Sequence, residues 1–428
     1  MSGVPAGRRR AAAGLVGAAL LLAPAAQPAS AAPAFPGRAA AVPATVATAA
    51  PDQQCTPDRV AYCTERPQAL ARLSAERAWD TATGRGVLVA VVDSGVDARN
   101  AHLADAVQPG VDLVAVSGDP GGRTDTAGHG TAVAGQIAAR PVDGSGVVGL
   151  APDAEILPVR VYYADDDRAR EQGVAPDAGR IAAGIEAAVA AGAQVVNVSM
   201  STPTDTPALR DAVARATAAG ALVVASAGNR TTSSDETDGP RYPAAYDGAL
   251  AVTAVDVDDA PSADAVHGEH VDVAAPGTNV LTTYHAAGDC LLSGENVSTS
   301  FATAYVSAAA ALLAERYPDE TPEQWAHRLE VTAARTQPGE RDDLVGWGVV
   351  RPAEALGFVD DGTAVGPPSP LHGTDAAATP EPRTIDVSPR TDPLAAARRG
   401  ATWWGIAGLA LVLLAALAGR VVGRRRRR

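Results

Sequence analysis

Gly86-Val-Leu-Val-Ala-Val-Val92, which runs directly into Asp93, is the stretch of sequence that decides the fold. Its residues carry no polar side chain and show no alternation between apolar and polar positions. A continuous apolar run of this length is typical of a strand buried on both faces, as in parallel sheets covered by helices. Similar runs follow along the chain at 155–161, 193–198, 221–225 and 249–255. We therefore predict buried strands of a mainly parallel sheet.

Segments of helical composition separate these runs. Ala-rich stretches occupy 130–139, 178–191 and 207–219, and a long apolar stretch, 304–313, lies near the end of the pattern. Strand alternating with helix predicts an α/β architecture. The pattern covers residues 70–358, and about 290 residues can still bury a single core, so we expect one domain there.

Residues 1–32 have the pattern of a cleaved export signal. Arg8 to Arg10 supply the positive start, Ala11 to Ala23 the short apolar stretch, and Ala29-Ser30-Ala31 a small-residue cleavage site. An uncleaved anchor is the alternative, but about a dozen apolar residues fall short of the roughly 20 that span a bilayer. The choice between Sec and twin-arginine export stays open. Residues 33–69, which are rich in Ala, Pro and Thr, predict an extended arm.

Residues 402–422 predict a transmembrane helix. The segment is apolar, Trp403 and Trp404 stand where interfacial aromatic residues are found, and Arg424 to Arg428 follow directly. A buried core helix is the alternative, which the terminal position and the arginines disfavour. Because basic flanks stay in the cytoplasm, we expect 423–428 to be a cytoplasmic tail and the chain before the helix to lie outside the cell. Residues 359–401, rich in Pro, Thr, Asp and Gly, predict a flexible stalk.

The exported part of the chain is acidic, since the formal net charge is −14 although basic clusters stand at both ends. This charge argues against nucleic acid as a partner. Cys55 and Cys63 could close a local loop, or either could pair with Cys290, and the sequence leaves these alternatives open. No Cys or His spacing indicates zinc. Asp165 to Asp167 are interpreted as a solvated charge run rather than a calcium site, so no metal or cofactor is expected.

Three polar clusters stand at the ends of predicted strands and helices, where α/β proteins usually place their sites. Asp93 ends the first buried strand, His129 lies between two glycines at a helix start, and Ser300 precedes a long apolar helix. A serine hydroxyl needs a neutral imidazole to take its proton, and the imidazole needs a carboxylate to hold its tautomer. The three residues therefore predict a nucleophile, its base and an orienting acid. The other histidines lack such a setting and are expected at the surface: His102, His267, His270, His285, His327 and His372.

A hydrogen-bond donor for the developing oxyanion is the fourth requirement of this chemistry. In Ala225-Ser-Ala-Gly-Asn229 a predicted strand runs into a Gly-Asn turn, which offers the side-chain amide of Asn229. Loss of one such donor costs about 3–4 kcal/mol of transition-state stabilisation. Each residue alone is weak support, because Asp after a strand, Ser before a helix and Asn after Gly are common in turns and caps. Their conjunction carries the prediction.

These motifs resemble those of the subtilisin-like serine proteases. Val-Val-Asp93-Ser-Gly-Val, Gly-His129-Gly-Thr-Ala-Val-Ala-Gly, Ala-Ser-Ala-Gly-Asn229 and Ala-Ala-Pro276-Gly occur in the order that the family has. The resemblance covers about residues 70–358 and implies a three-layer subtilisin-like fold. It implies that Asp93 orients His129, which acts as general base and then general acid, that Ser300 is the nucleophile, and that Asn229 helps to form the oxyanion hole. Substrate-binding residues at the edge of the cleft would be Ser199, Met200, Ser201 and Gly228.

The order of signal, catalytic domain, stalk and single C-terminal helix is similar to that of the mycosins, the membrane-anchored subtilases of type VII secretion systems. Ser-Phe-Ala at Ser300 and the nearby Cys290 are also similar to that subgroup. The resemblance implies an arm that wraps the catalytic domain, which fits Cys55 or Cys63 pairing with Cys290. It implies a membrane-anchored extracytoplasmic endopeptidase of limited specificity that cleaves proteins or peptides and is linked to the type VII membrane complex. The alternative is a structural component of a secretion complex whose protease activity is weak or dispensable.

The segment around the expected nucleophile departs from the family at two positions. Subtilases usually have glycine two residues before the serine and proline four residues after it, where this chain has Ser298 and Ala304. Glycine adopts turn geometries that serine resists, and proline suits an early helix position. Because neither change deletes a catalytic group, we expect lowered rather than abolished activity.

Overall fold

The computed structural model describes residues 55–57, 59–116, 118–232, 236–373 and 394–425. The predicted export signal and most of the predicted arm lie outside these residues, as do residues 374–393 of the predicted stalk and the end of the basic tail. These predictions therefore stay predictions.

The described strands form one large sheet and one small one. Their bounds are β1 (Leu88–Asp93), β2 (Val111–Asp112), β3 (Glu155–Arg160), β4 (Val195–Val198), β5 (Leu222–Ser226), β6 (Ala249–Val255), β7 (Val273–Pro276), β8 (Val280–Thr283) and β9 (Asp289–Leu292). The large sheet has the spatial order β2-β3-β1-β4-β5-β6-β7, and its neighbouring strands all run parallel. β8 and β9 form an antiparallel hairpin.

Of the described helices, α3 to α6 lie between strands along the chain, whereas α1 and α2 precede β1 and α7 to α10 follow β9. Their bounds are α1 (Gln68–Arg72), α2 (Ala75–Trp79), α3 (His129–Ala138), α4 (Asp167–Glu171), α5 (Ala178–Ala190), α6 (Pro207–Ala218), α7 (Thr299–Arg316), α8 (Pro322–Val331), α9 (Pro352–Gly357) and α10 (Ala395–Arg425). A 3₁₀ turn covers Arg230–Thr232.

The sheet is covered by helices on both faces, which gives three layers. α3 and α7 pack on one face, and α5 and α6 pack on the other. Successive side chains of a strand point to opposite faces. Accordingly, Val89 and Val91 belong to the core on the α3/α7 side, whereas Ala90 and Val92 belong to the core on the α5/α6 side. Burial on both faces explains the unbroken apolar run from which the sheet was predicted.

The five predicted strands are confirmed, each within two residues of its predicted bounds. The predicted helical segments correspond to α3, α5, α6 and the centre of α7. The predicted mainly parallel α/β fold is thus confirmed. The strands β2 and β7, the β8–β9 hairpin and the helices α1, α2, α4, α8 and α9 were not predicted.

The described end of the N-terminal arm is attached to the β8–β9 hairpin. Cys55 forms a disulfide with Cys290, and Cys63 remains a free thiol. Ala61 donates its backbone N–H to Ala287 O at 2.8 Å, and its carbonyl accepts from Asp289 N–H at 2.8 Å. The arm therefore extends the hairpin by backbone pairing, and the structure selects one of the three cysteine pairings left open above.

The described residues that follow α9, up to residue 373, pack against the domain. Arg335 Nη2 donates to Val365 O at 3.0 Å, and His372 Nε2 lies 3.2 Å from Asp360 O. The chain is next described at α10, where Ala397–Arg420 is long and apolar enough to cross a membrane. This helix contains the predicted span 402–422 and begins seven residues before it.

Candidate active site

Asp93 and His129 meet at the carboxyl edge of the central sheet. Asp93 is the last residue of β1 and its side chain is fully buried, while His129 is the first residue of α3 and its side chain is 28% exposed. His129 Nδ1 lies 2.8 Å from Asp93 Oδ1 and 3.0 Å from Oδ2. A carboxylate only accepts hydrogen bonds, so Nδ1 carries the proton and Nε2 keeps a free lone pair. The imidazole is therefore held in the tautomer of a general base.

The start of α3 is held by a second buried carboxylate. Asp125 Oδ1 accepts from the N–H of Gly128 at 2.9 Å, and its Oδ2 accepts from the N–H and the hydroxyl of Thr131 at 2.9 and 2.7 Å. Gly128 has φ +78°, and a methyl group there would lie 2.6 Å from Nε2 of His285. Glycine is thus required at this position both by its backbone and by the lack of space. These contacts fix the helix end from which His129 projects.

The surroundings of His129 favour its protonated form. Burial alone would lower the pKa of the imidazole, but the charge of Asp93 and the hydrogen bond to it act in the opposite direction. The charges of Asp125 and Asp165 add to this effect, so the pKa of His129 is raised above its usual value of 6.5. An opposite charge at hydrogen-bond distance stabilises the imidazolium. The site can therefore store a proton on His129.

Ser300 is the second residue of α7 and is buried beside Ser199. Its hydroxyl donates to the carbonyl oxygen of Ser199 at 2.8 Å, and the hydroxyl of Ser199 donates back to the carbonyl oxygen of Ser300 at 3.2 Å. Among the described residues no hydrogen bond joins Ser300 to His129. The next residue, Phe301, contacts His129 instead, since its ring stacks on the imidazole with centroids 5.6 Å apart. Catalytic hydrogen bonds commonly form only when substrate is bound.

The two departures from the family pattern cause no strain in the backbone. Ser298 has φ −127° and ψ 115°, an extended conformation that any residue adopts. Ala304 lies inside α7 and is fully buried, where alanine is the best helix former. The expectation that serine resists the geometry at position 298 is therefore wrong, because the chain is extended there and needs no turn.

Asn229 lies three residues after β5, at the amino end of α7. Its Oδ1 accepts from the backbone N–H of Thr299 at 2.9 Å. The hydroxyl of Thr299 is in turn 2.6 Å from the hydroxyl of Ser226, the last residue of β5. These bonds join the β5 edge to the helix that carries Ser300. They place Asn229 beside Thr299, the residue before the expected nucleophile, and the role of Asn229 in an oxyanion hole stays a prediction.

The residues expected to bind substrate lie around the same point. Gly228 has φ +105°, and a methyl group there would come within 3.1 Å of Ser201 Oγ. Ser199 is bonded to Ser300 as described above, so the segment after β4 and the turn after β5 flank Ser300 from two sides. Met200 is half-buried and packs against the α5/α6 core. Their role in substrate binding stays a prediction.

Two contacts at this site were missed in the sequence. The hydroxyl of Tyr162 donates to Asp93 Oδ1 at 3.0 Å, and Asp125 holds the start of α3. Tyr162 follows β3, which pairs with β1 up to Asp93 itself. The sequence did indicate Tyr162 in one way, because it lies just past the carboxyl end of a predicted strand, where α/β proteins place their sites.

The expectation that the remaining histidines lie at the surface is wrong for three of them, because His102, His285 and His327 are buried. His102 Nδ1 lies 2.6 Å from Arg140 O, and its Nε2 lies 2.9 Å from Asp289 Oδ1. His285 Nδ1 lies 2.9 Å from Asp125 O. Both rings are enclosed by segments that are distant in the sequence, so no local pattern marks them.

The acidic run after β3 has local partners. Asp166 caps α4 by accepting from Ala169 N–H at 2.7 Å, and Asp165 and Asp167 both form ion pairs with Arg170. Among the described residues no group of three or more His, Cys, Asp or Glu side chains could hold a metal ion.

Comparison with known proteins identifies the relatives of this chain. The model of the subtilase family matches residues 84–348. Thermitase from Thermoactinomyces vulgaris is 36% identical over 255 residues, which cover 60% of this chain and 84% of thermitase. Mycosin-1 from Mycobacterium tuberculosis is 34% identical over 394 residues, which cover 80% of this chain and 82% of mycosin-1. The crystal structure of MycP1 from the ESX-1 type VII secretion system matches with a TM-score of 0.62 and 30% identity, over 73% of this chain and 92% of that one.

Proposed function

Because the chain belongs to the subtilase family of serine proteases and is related to the mycosins, we propose that it is a membrane-anchored, extracytoplasmic serine endopeptidase of limited specificity that is linked to type VII protein secretion. Asp93, His129 and Ser300 form its catalytic triad. The observation that carries the proposal is the pair of contacts, 2.8 and 3.0 Å, between His129 Nδ1 and the carboxylate of Asp93. This pair supplies the oriented base that a serine nucleophile requires.

In the proposed reaction Ser300 Oγ attacks the scissile carbonyl carbon while its proton passes to Nε2 of His129. The hydroxyl must first release Ser199 O and turn towards the imidazole. The C–N bond then breaks as the imidazolium gives that proton to the leaving amine, and an acyl group remains on Ser300. Water, deprotonated by the same imidazole, hydrolyses this ester and restores the serine.

The oxyanion that forms during attack needs donors on the side of α7. Oδ1 of Asn229 is engaged with Thr299 N–H, so the amide NH₂ of Asn229 is the part that can donate to the oxyanion. The first N–H groups of a helix have no acceptor within the helix and favour negative charge. Ser300, as the second residue of α7, stands at such an end. Asn229 and this helix end together form the proposed oxyanion hole.

The C-terminal helix supports the proposed membrane anchor. Ala397–Arg420 within α10 has the length and composition of a membrane span. The arginines at 424–428 favour a cytoplasmic C-terminus, which leaves the catalytic domain outside. The Cys55–Cys290 disulfide agrees with that side, since disulfides persist in oxidising compartments.

The relationship to mycosin-1 and MycP1 supports the link to type VII secretion. A protease tethered by one helix reaches only proteins that pass close to the membrane, which supports limited specificity. We therefore expect the substrates to be a few exported proteins or peptides rather than bulk protein.

The endopeptidase proposal is tested with the full-length protein in detergent micelles and a library of quenched-fluorescent peptides. Mass spectrometry should identify cuts at internal peptide bonds. Asp93→Asn preserves the shape of the side chain but not its charge, and it should reduce kcat by about 10⁴-fold. Release of single terminal residues, or an inactive but folded wild type, would contradict the proposal.

A structural role in a secretion complex is the second candidate. It is favoured by the covalent attachment of the arm to the β8–β9 hairpin, which builds a surface that the proposed catalytic steps do not use. Secretion by cells that carry Ser300→Ala should be compared with secretion by cells that lack the protein. Secretion retained only in the Ser300→Ala cells supports the structural role, and equal loss in both supports the proteolytic one.

A further inference from the structure

Tyr162 lies beside Asp93 at the carboxyl edge of the large sheet, two residues after the end of β3. β1 and β3 pair in register up to Asp93 and Arg160, and Val161 N–H donates to Asp93 O at 2.8 Å. The next residue, Tyr162, is 5% exposed, and its hydroxyl donates to Asp93 Oδ1 at 3.0 Å. The tyrosine therefore contacts the carboxylate from the strand that neighbours β1.

The carboxylate of Asp93 receives donors from three sides. Oδ1 accepts from the N–H of Ser94 at 2.8 Å, from Tyr162 at 3.0 Å and from His129 Nδ1 at 2.8 Å. Hydrogen bonds to a carboxylate stabilise its charge and fix its rotation. Ser94 donates through its backbone N–H, which any residue except proline would also supply at that position. The hydroxyl of Tyr162 is thus a side-chain donor to Asp93 that a substitution can remove without changing a residue of the triad.

The hydroxyl stays protonated over the range in which such an enzyme works. Burial, followed by the charges of Asp93 and Asp125, raises the pKa of Tyr162 well above its usual value of 10. Tyr162 is therefore a permanent donor to Asp93.

We propose that Tyr162 is a positioning residue of the triad, which locks the rotamer of Asp93 and moderates the attraction of its carboxylate for the imidazolium of His129. The inference rests on the proposed catalytic role of Asp93 and His129. A carboxylate that shares its charge with a tyrosine hydroxyl attracts the imidazolium less strongly than one that does not. Tyr162 thereby sets the pH at which His129 becomes available as a base.

Several charged or titratable groups face His129 from the elements packed around it. They are Asp93 from β1, Asp125 from the segment before α3, and Tyr162 and Asp165 from the segment after β3; His285, from the turn between β8 and β9, lies beside the adjacent Gly128. The carboxylates raise the pKa of His129. Of the groups named, Tyr162 is the one that acts on His129 through Asp93, so its effect can be separated by changing one hydroxyl.

Tyr162→Phe removes the hydroxyl and keeps the ring. Without its donor, Asp93 should attract the imidazolium more strongly, so the pKa of His129 should rise. The rate constant for labelling of Ser300 by a fluorophosphonate, measured on the full-length protein from pH 5 to 9, should show its acid limb shifted upwards by about 0.3–1 pH unit. The plateau rate should fall about ten- to a hundredfold, as expected for loss of one hydrogen bond to a charged group.

Tyr246→Phe is the matched control. Tyr246 is 7% exposed and its hydroxyl donates to Asp205 Oδ1 at 2.7 Å, so it is also a buried tyrosine bonded to a carboxylate. Loss of the Tyr246 hydroxyl should change the melting temperature by about as much as Tyr162→Phe does. It should leave the acid limb of the labelling profile unchanged. A merely structural tyrosine at position 162 would behave in the same way as this control.

The imidazole pKa provides a readout that does not need catalysis. In a Ser300→Ala background, with histidine labelled at Cε1, the NMR titration of His129 should move upwards on Tyr162→Phe. Wild-type protein that labels, combined with an unchanged acid limb and titration in folded Tyr162→Phe, overturns this inference alone. Wild-type protein that never labels overturns the proposed function, while the NMR titration still decides the contact between Tyr162 and the triad.

Discussion

The side-chain oxygen of Asn229 accepts a hydrogen bond from the backbone N–H of Thr299 at 2.9 Å. A backbone N–H can only donate, so the orientation of the amide follows from its partner: the oxygen faces Thr299 and the NH₂ faces away from it. This contact ties the turn after β5 to the first residue of α7, one position before Ser300. It anchors Asn229 through its oxygen and leaves the NH₂ group as the donor that the proposed oxyanion hole requires.

Asn229→Asp should lower kcat by about 10²- to 10³-fold while KM changes little, because the donor acts on charge that develops in the transition state. Aspartate keeps an acceptor for Thr299 N–H but has no NH₂ group at neutral pH. Asn229→Ala, which loses both, should lower kcat to a similar extent and also lower the melting temperature. Full activity in Asn229→Asp would remove Asn229 from the oxyanion hole.

The pH profile of kcat/KM should have its acid limb above pH 6.5. Asp93, Asp125 and Asp165 raise the pKa of His129, and only the neutral imidazole can take the proton of Ser300. Below that pKa the base is protonated and the rate falls tenfold for each pH unit. Initial rates on one peptide from pH 5 to 9 give the midpoint. A rate that stays constant between pH 5.5 and 7.5 would contradict the assignment of His129 as the base.

Cys55→Ser should lower the melting temperature of the full-length protein, since the Cys55–Cys290 disulfide joins residues 235 positions apart. Loss of a native disulfide typically costs about 2–5 kcal/mol of unfolding free energy. Cys63→Ser is the matched control, because Cys63 is a free thiol on the same arm. Differential scanning calorimetry measures both. Equal melting temperatures for Cys55→Ser and wild type would show that the disulfide adds nothing to stability.

Glu330→Gln should protect the protein at alkaline pH. Burial, with the neighbouring charge of Asp272, raises the pKa of Glu330 well above its usual 4.5. A carboxyl whose pKa is raised on folding costs stability as pH rises from its unfolded value through its folded one. The melting temperature of wild type should therefore fall between about pH 5 and 9 more steeply than that of Glu330→Gln. Glu323→Gln, an exposed change on the same helix, should follow wild type, and identical slopes in all three proteins would contradict the raised pKa.

The features that could be predicted from the sequence are those that a local pattern of residues indicates. The unbroken apolar run before Asp93 predicted the sheet because its strands are buried on both faces, and the carboxyl end of β1 marked the site. His129 was recognisable because two glycines frame it at the start of a helix, and Asn229 because it follows a glycine in a turn after a strand. The structure then brought the predicted residues to one edge of the sheet.

Features that depend on contacts between distant segments could not be predicted in the same way. Tyr162 reaches Asp93 only because β3 lies beside β1, and a strand pattern does not show which side chain crosses to its neighbour. The burial of His102 depends on Asp289, far along the chain. The choice of Cys55 over Cys63 depends on where the arm pairs with the hairpin. Ser298 was expected to resist a turn, and the structure has an extended backbone there instead.

The central claim, that Ser300 is a nucleophile activated by His129 and Asp93, is tested most directly by labelling with a fluorophosphonate probe. Full-length wild-type protein should be labelled at Ser300, identified by mass spectrometry of the modified peptide, and Ser300→Ala should not be labelled. Ser307→Ala serves as the matched control, since Ser307 lies on the same helix and its hydroxyl donates to Asn197 rather than to a residue of the proposed triad. Only wild type and Ser307→Ala should be labelled, whereas a folded wild type that stays unlabelled, or a Ser300→Ala protein that is labelled elsewhere at the same rate, would contradict the assignment of Ser300 as the nucleophile.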